Sequence, residues 1–500
     1  MKPQELKIHH LLERAFSDTH AVLYTCCILA IGIALRFYHY LRHTSLWCDE
    51  AVMVINLVNK SFRELLGPLD YNVAGPPLFL WLSKIDSLLF GDNVYAWRLL
   101  PLVASCGALL LLVPLARRLL APAMVPWALL LVACNDKTLW HSSEIRPYTI
   151  DLFCSTFLLY LYYSTRRFGL VGRLAYFIAL APLLLPLSYP SMFIYAGLFV
   201  ALWPEVWQEK SAAGFWGYGI LALVLIGGAM LLFIGPVRAQ DTPGLRFFWV
   251  RYFPDWSQPW LVPAWAIRKI FEMLRYCMEP TGGLLLPFVL IAGVTWWRNG
   301  QKPTVALLVL PMLLGLIASL LGFYPFGHTR LQLHLAPAAV LLALKGLETA
   351  LTWFAPGRRW RLAIQLLLVL LLLAPAALTA KTLLIPWPAR SADAKGAADY
   401  VKSRMQQTDI LMTSDNWEFD YYFRDVKSYK RGIQRVADAG RLWLVVSDAP
   451  PLCDNPREEL NQFIRRDWRL LEQRDFSHIA VFLLAGPQSR QDKGTDNLDN

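Results

Sequence analysis

The chain has 500 residues, 56% of them hydrophobic and only 17% charged, with a formal net charge of +11. Repeated apolar runs of about 18 to 20 residues match the length that crosses a bilayer core, so the composition excludes an ordinary water-soluble enzyme and indicates a polytopic membrane protein. The basic excess sits largely in short segments between those runs, where Lys and Arg orient helices, and this sets aside nucleic acid as a partner.

In chain order, Lys2, Lys7 and Arg14 precede a first apolar segment at 21–41. No small-residue cleavage site follows it, so it reads as an uncleaved anchor with the N-terminus inside. Residues 42–97 then form an outer loop opened by Ser45-Leu46-Trp47-Cys48-Asp49-Glu50-Ala51. The spacing over 50–66 predicts an interfacial helix lying on the bilayer. Gly75-Pro76-Pro77 predicts the start of a second interfacial helix reaching Phe90.

Further spans are expected near 98–115, 124–140, 148–163, 174–188, 191–207, 216–236, 284–297, 304–323, 331–350 and 360–384, about eleven in all with the first. Residues 237–282 read as a long polar and aromatic loop. Alternation puts Arg117/Arg118, Arg166/Arg167/Arg173, Lys210, Arg298/Lys302 and Arg358/Arg359/Arg361 on the N-terminal side, as cytoplasmic loops require. An odd number of spans then places the tail outside. The predicted organisation is a membrane domain over 1–385, a small extracytoplasmic α/β domain over 386–487, and a disordered polar end over 488–500. In that α/β domain, strand-like runs at 409–413, 442–447 and 479–484 alternate with helical patterns at 392–405 and 457–466.

Most of the eight cysteines fall in apolar segments, with neither a C-x-x-C pair nor zinc spacing. Cys48, Cys277 and Cys453 share the outer side, which allows a disulfide among them without requiring one.

The polar residues sort by side. The outer side collects Asp49/Glu50, His141-Ser142-Ser143-Glu144-Ile145-Arg146-Pro147-Tyr148, the 237–282 stretch and Tyr324-Pro325-Phe326-Gly327-His328-Thr329-Arg330. The inner side holds basic anchors and little else. This one-faced distribution suits an outward-facing site better than a transport path. A carboxylate at the bilayer interface is costly and marks function; Asp49 is equally well placed to cap a helix. Glu144 and Arg146 are a candidate ion pair or a candidate acid with a guanidinium beside it. His328 and Arg330 could bind phosphate or, with Tyr324, anchor the interface. Arg238, Arg246, Arg251, Arg268, Lys269 and Arg275 are further cation candidates, interleaved with Trp249, Trp256, Trp260 and Trp265 as in an interfacial belt or a sugar or isoprenoid groove. No P-loop, zincin, nucleophile-elbow or dinucleotide motif occurs.

The sequence Leu35-Arg36-Phe37-Tyr38…Ser45-Leu46-Trp47-Cys48-Asp49-Glu50-Ala51, with Pro76-Pro77-Leu78, Arg98-Leu99-Leu100-Pro101 and Glu144-Ile145-Arg146-Pro147-Tyr148, resembles the family-39-type bacterial glycosyltransferases of the GT-C superfamily. That group is related to the protein O-mannosyltransferases and the lipid A aminoarabinose transferase. The resemblance is specific over roughly the first 150 residues and looser beyond them. It implies a polytopic α-helical membrane fold in the bacterial inner membrane and a polyprenyl-phosphate-linked sugar donor. It implies inverting transfer to a lipid, glycan or protein acceptor on the periplasmic face. By position, Asp49 matches the first-loop acid proposed as general base and Glu144 the second outer-loop acid. Arg146 and Tyr148 match that loop's basic and aromatic positions. Glu50, Tyr324, His328 and Arg330 are further candidates for substrate binding. The lipid A transferases carry a lysine just before Pro-Pro-Leu; Ala74-Gly75 stands here, so the cation facing the donor phosphate must come from elsewhere. No cofactor or metal is expected to be required, although Asp49 and Glu144 could bridge a divalent cation. The competing expectations are a transporter or flippase of a lipid-linked sugar, and a receptor whose working part is the tail.

Overall fold

The computed structural model describes residues 18–42, 44–353, 358–385, 387, 390–433, 440–449 and 454–486. The basic residues before the first span, Cys453 and the polar end from 488 lie outside these. The chain forms two compact units, one of residues 1–41 and 61–382, the other of residues 42–60 and 383–500.

The first unit is helical. It contains α1 (Asp18–Leu41); its other helices are introduced below, and α2 (Cys48–Asn59) belongs to the second unit. After α2 come α3 (Pro77–Phe90), α4 (Val94–Leu119), α5 (Val125–Ala133), α6 (Asp136–Ser142), α7 (Tyr148–Ser164), α8 (Gly169–Leu187), α9 (Ser191–Glu209) and α10 (Ala212–Leu232). They are followed by α11 (Val262–Cys277), α12 (Leu286–Arg298), α13 (Lys302–Leu320), α14 (Ala336–Trp353) and α15 (Arg358–Leu384). Among the described residues six helices are long and apolar enough to cross a membrane, or seven if the pair 259–277 and 282–298, bent by 113°, counts as one. One of the six, Tyr148–Leu187, runs 40 residues across α7 and α8, and Pro122–Ala133 and Leu368–Leu384 are shorter apolar helices.

The expected span at 124–140 is broken. Helix α5 stops at Ala133, Cys134 leaves helical geometry, and Asn135 caps α6 by accepting from the amides of Lys137 and Thr138. A helix end leaves carbonyls without partners, which is costly in an apolar surround. Arg36, fully buried on α1, supplies donors to the carbonyls of Val132 (3.3 Å) and Ala133 (3.1 Å), and to Ser105 Oγ (2.7 Å). Thr379 Oγ1 donates to the Cys134 carbonyl at 2.7 Å, and Asn135 Nδ2 to the Cys277 carbonyl at 3.0 Å.

The stretch 237–282, expected as a loop, is largely helical. It holds Arg238–Gln240, Pro243–Trp249 and the strongly amphipathic α11. Its polar residues recur at helical spacing, and that periodicity is what a reading for continuous apolar runs passes over. Trp256 and Trp260 are exposed, as interfacial residues would be.

In the second unit, α2 ends at Asn59, seven residues before the expected limit at 66. Residues 48, 50–57 are buried, so α2 is a packed helix and not one lying on a surface with a free polar face. It packs on the short helix α17 (Glu418–Tyr422), where the Leu46 amide donates to Tyr422 Oη at 2.8 Å; α16 spans Ala394–Arg404 and α18 Pro456–Ile464. The sheet has five strands in the order β2-β1-β3-β5-β4: β1 (Ile410–Thr413), β2 (Tyr429–Arg431), β3 (Arg441–Ser447), β4 (Arg469–Phe476) and β5 (Ile479–Ala485). Strand β1 runs parallel to β2 and β3, while β5 is antiparallel to β3 and β4. Met412, Leu444, Phe463, Trp468 and Phe482 belong to the core of this unit.

Candidate functional site

In the second unit Trp47, in extended conformation, is the residue before the first turn of α2, and its carbonyl accepts from the amides of Glu50 and Ala51. Asp49 is therefore not the cap. It is the second helical residue, where a carboxylate still meets the positive end of the helix. Asp49 is half-buried and Glu50 is fully buried. Nearby, Ser45 Oγ accepts from the Lys395 amide at 3.1 Å, tying this corner to α16.

The other predicted site residues lie in the first unit. After α6 the chain makes a tight turn before Pro147, with the Arg146 amide donating to the Glu144 carbonyl at 2.7 Å. Glu144 is fully buried and Arg146 and Tyr148 nearly so. Glu144 Oε2 is hydrogen-bonded to His141 Nδ1, and His141 Nε2 lies 2.7 Å from Tyr276 Oη at the end of α11. Tyr148 packs edge-on to the His141 ring, with centroids 4.8 Å apart. The Arg330 guanidinium lies over the Tyr148 ring at 5.4 Å and over Trp249 at 6.0 Å. His328 stands edge-on to Tyr276 at 5.2 Å and 3.6 Å from Glu279, which also meets Lys137 at 3.1 Å.

Beside this group is a cavity of about 550 Å³ lined by Arg251, Tyr252, Arg268, Lys269, Phe271, Glu272, Arg275 and His328. Residues 268, 272 and 275 share one face of α11, because three- and four-residue steps return to the same side of a helix. Glu272 partly offsets the cations, at 3.3 Å from Arg268 and 2.8 Å from Lys269. The remaining positive charge and the cavity's size suit a phosphate-bearing ligand.

The structure thus brings Glu144, Tyr148, His328 and Arg330 together through His141 and Tyr276, neither of which was a candidate. His141 had a local signal, since it stands three residues before Glu144 on a helical turn. Tyr276 had none, because it reaches His141 across 135 positions of sequence. Tyr324 is engaged elsewhere. Its hydroxyl donates to the Leu331 carbonyl at 2.7 Å and its ring meets Phe193 and His334. Cys48 and Cys277 are both thiols, not joined by a disulfide. Among the described residues no cluster of three or more His, Cys, Asp or Glu could hold a metal ion.

No family model matches the chain. An undecaprenyl phosphate-α-4-amino-4-deoxy-L-arabinose arabinosyl transferase of Pseudomonas paraeruginosa is 25% identical over 277 residues, 53% of this chain and 47% of that one. The protein of the same description from Pseudomonas aeruginosa is 24% identical over 360 residues, 64% of this chain and 58% of that one. The chain therefore spans about half the length of the curated relatives it matches. The crystal structure of ArnT from Cupriavidus metallidurans bound to undecaprenyl phosphate superposes with a TM-score of 0.50 at 12% identity, over 93% of this chain and 98% of that one. The chain is a membrane protein with the GT-C fold and is similar to the glycosyltransferases of that superfamily.

Proposed function

We propose that this protein is an inverting glycosyltransferase that takes a sugar from a polyprenyl-phosphate donor and delivers it to a lipid, glycan or protein on the periplasmic face of the bacterial inner membrane. In this reading the N-terminus is cytoplasmic and residues 386–487 are periplasmic. The observation that carries the proposal is the basic cavity sharing His328 with the group around Glu144. In such a transfer the lipid phosphate leaves as an anion and needs fixed cations more than a proton donor. Arg268 and Arg275 supply them from one face of α11, with Lys269 also lining the cavity, in place of the lysine that Ala74-Gly75 lacks. Asp49 takes the acceptor's proton as it attacks the anomeric carbon, and Glu144 orients the acceptor. Arg146, Tyr148 and Arg330 frame the sugar, with Glu50 supporting the first-loop acid. The reaction needs neither cofactor nor metal, so chelation by EDTA is predicted to leave the rate unchanged; loss restored by magnesium or manganese would contradict this.

Mass spectrometry of glycolipids and glycoproteins from a deletion strain tests the function and identifies sugar and acceptor together. The expected result is a missing glycosylated product and accumulated lipid-linked sugar. An unchanged profile would contradict the assignment. A flippase of lipid-linked sugar is the second reading, favoured by the break between α5 and α6 and by Asp151, buried in the first turn of α7. Reconstituted vesicles that move the lipid-linked sugar without releasing undecaprenyl phosphate would establish it.

A further inference from the structure

We propose that Tyr276, His141 and Glu144 act as one chain in which His141 and Tyr276 are positioning residues for the carboxylate. The inference rests on the reading of Glu144 as a working acid. Both ring nitrogens of the buried His141 are engaged, Nδ1 with Glu144 Oε2 and Nε2 with Tyr276 Oη at 2.7 Å. An ionised carboxylate only accepts, so Nδ1 carries the proton. In the proposed chain the tyrosine O–H donates to Nε2, which leaves the imidazole neutral. One tautomer and one ring orientation follow, and with them one orientation of the carboxylate. Tyr148 closes the ring's edge at 4.8 Å, so the imidazole is held by packing as well. Tyr276 directly follows Arg275, which lines the basic cavity, and its ring touches His328, which lines it too. The chain therefore runs from the wall of the cavity to the carboxylate, so that the two parts of the site are set by one rigid connection. Transfer depends on that registration, because sub-ångström placement of reacting groups governs rate.

The test uses full-length protein in native-host membrane vesicles containing the host's own undecaprenyl-phosphate-linked sugars, with release of undecaprenyl phosphate followed by mass spectrometry. Tyr276→Phe and His141→Leu are expected to lower kcat by a factor of about 10 to 100 while KM for the lipid donor stays within about twofold. His141→Asn, whose carboxamide N–H stands where Nδ1–H does, is expected to recover most of the loss seen in His141→Leu. A packing role alone would lower the amount of folded enzyme, leave kcat per folded molecule unchanged, and give Asn no advantage over Leu; that result overturns the proposal. Tyr276→Phe removes a single oxygen atom and keeps the test valid if the histidine variants fold poorly. Wild-type kcat in His141→Leu and Tyr276→Phe alongside an inactive Glu144→Gln overturns the chain alone. Wild-type kcat in all three overturns the role of Glu144, and the proposal with it.

Discussion

At the scale of single residues, burial decides what the carboxylates can do. Glu418, at the start of α17, is nearly fully buried, and one of its oxygens has no hydrogen-bond partner among the described residues. Burial pushes its pKa from 4.5 up to about 7. The unfolded chain therefore releases this proton first as pH rises. The contribution of Glu418 to stability is full below pH 4.5, falls as pH rises towards 7, and is flat above; the contribution lost is about 3 kcal/mol. Glu418→Gln is predicted to remove that slope and raise the unfolding temperature of the second unit at pH 8. An unchanged slope in thermal unfolding at pH 5 and pH 8 would show that Glu418 is ionised in the fold. Asp49 and Glu144 are singled out in the sequence as candidate acids by type and by resemblance. Their surroundings were not: the partners of Glu144 arrive from α6 and α11, and nothing near Tyr276 in sequence announces His141.

At the scale of elements, the broken and bent helices build the site. The break between α5 and α6 turns the chain towards Glu144, and Arg36 stabilises the carbonyls it exposes. Arg36→Met keeps the length of the side chain but removes its donors. It is predicted to cost about 3 kcal/mol or more, since each unsatisfied buried carbonyl costs roughly 1–3 kcal/mol. Thermal unfolding in detergent checks this, and an unchanged midpoint would contradict it. The turn after α11 depends on Gly282, where an added Cβ would stand 2.0 Å from the Leu274 carbonyl oxygen. Gly282→Ala should displace α11 and weaken binding at the basic cavity that this helix lines. Titration with undecaprenyl phosphate measures the loss; wild-type affinity would show that the helix position does not depend on this close approach. In the sheet, the strands legible in the sequence are β1, β3 and β5, the interior ones, whose residues are almost all buried. Those that went unread, β2 and β4, are the two edges, and their exposed Lys, Arg and Asp hide the apolar pattern. Charged edges are how sheets avoid pairing with other chains, so the feature that protects the fold also conceals it.

At the scale of the whole molecule, composition alone made the membrane class legible, and the tail's alternating pattern made the α/β unit legible. Where a helix bends or stops was less so, because length and hydropathy do not show it, as at the break after Ala133. That residues 42–60 fold with the second unit was also hidden, since sequence neighbours give no sign of a partner 376 positions away, as with the Leu46 amide and Tyr422 hydroxyl. In the proposed reaction Asp49 and Glu144 are the two working acids, and the leaving phosphate is held by the cations of α11. The most direct measurement is the rate of undecaprenyl phosphate release from lipid-linked sugar by the wild type, Asp49→Asn and Glu144→Gln, at matched levels of inserted protein. Each substitution is predicted to lower the rate by about 100-fold or more. Wild-type rates in both variants would contradict the assignment.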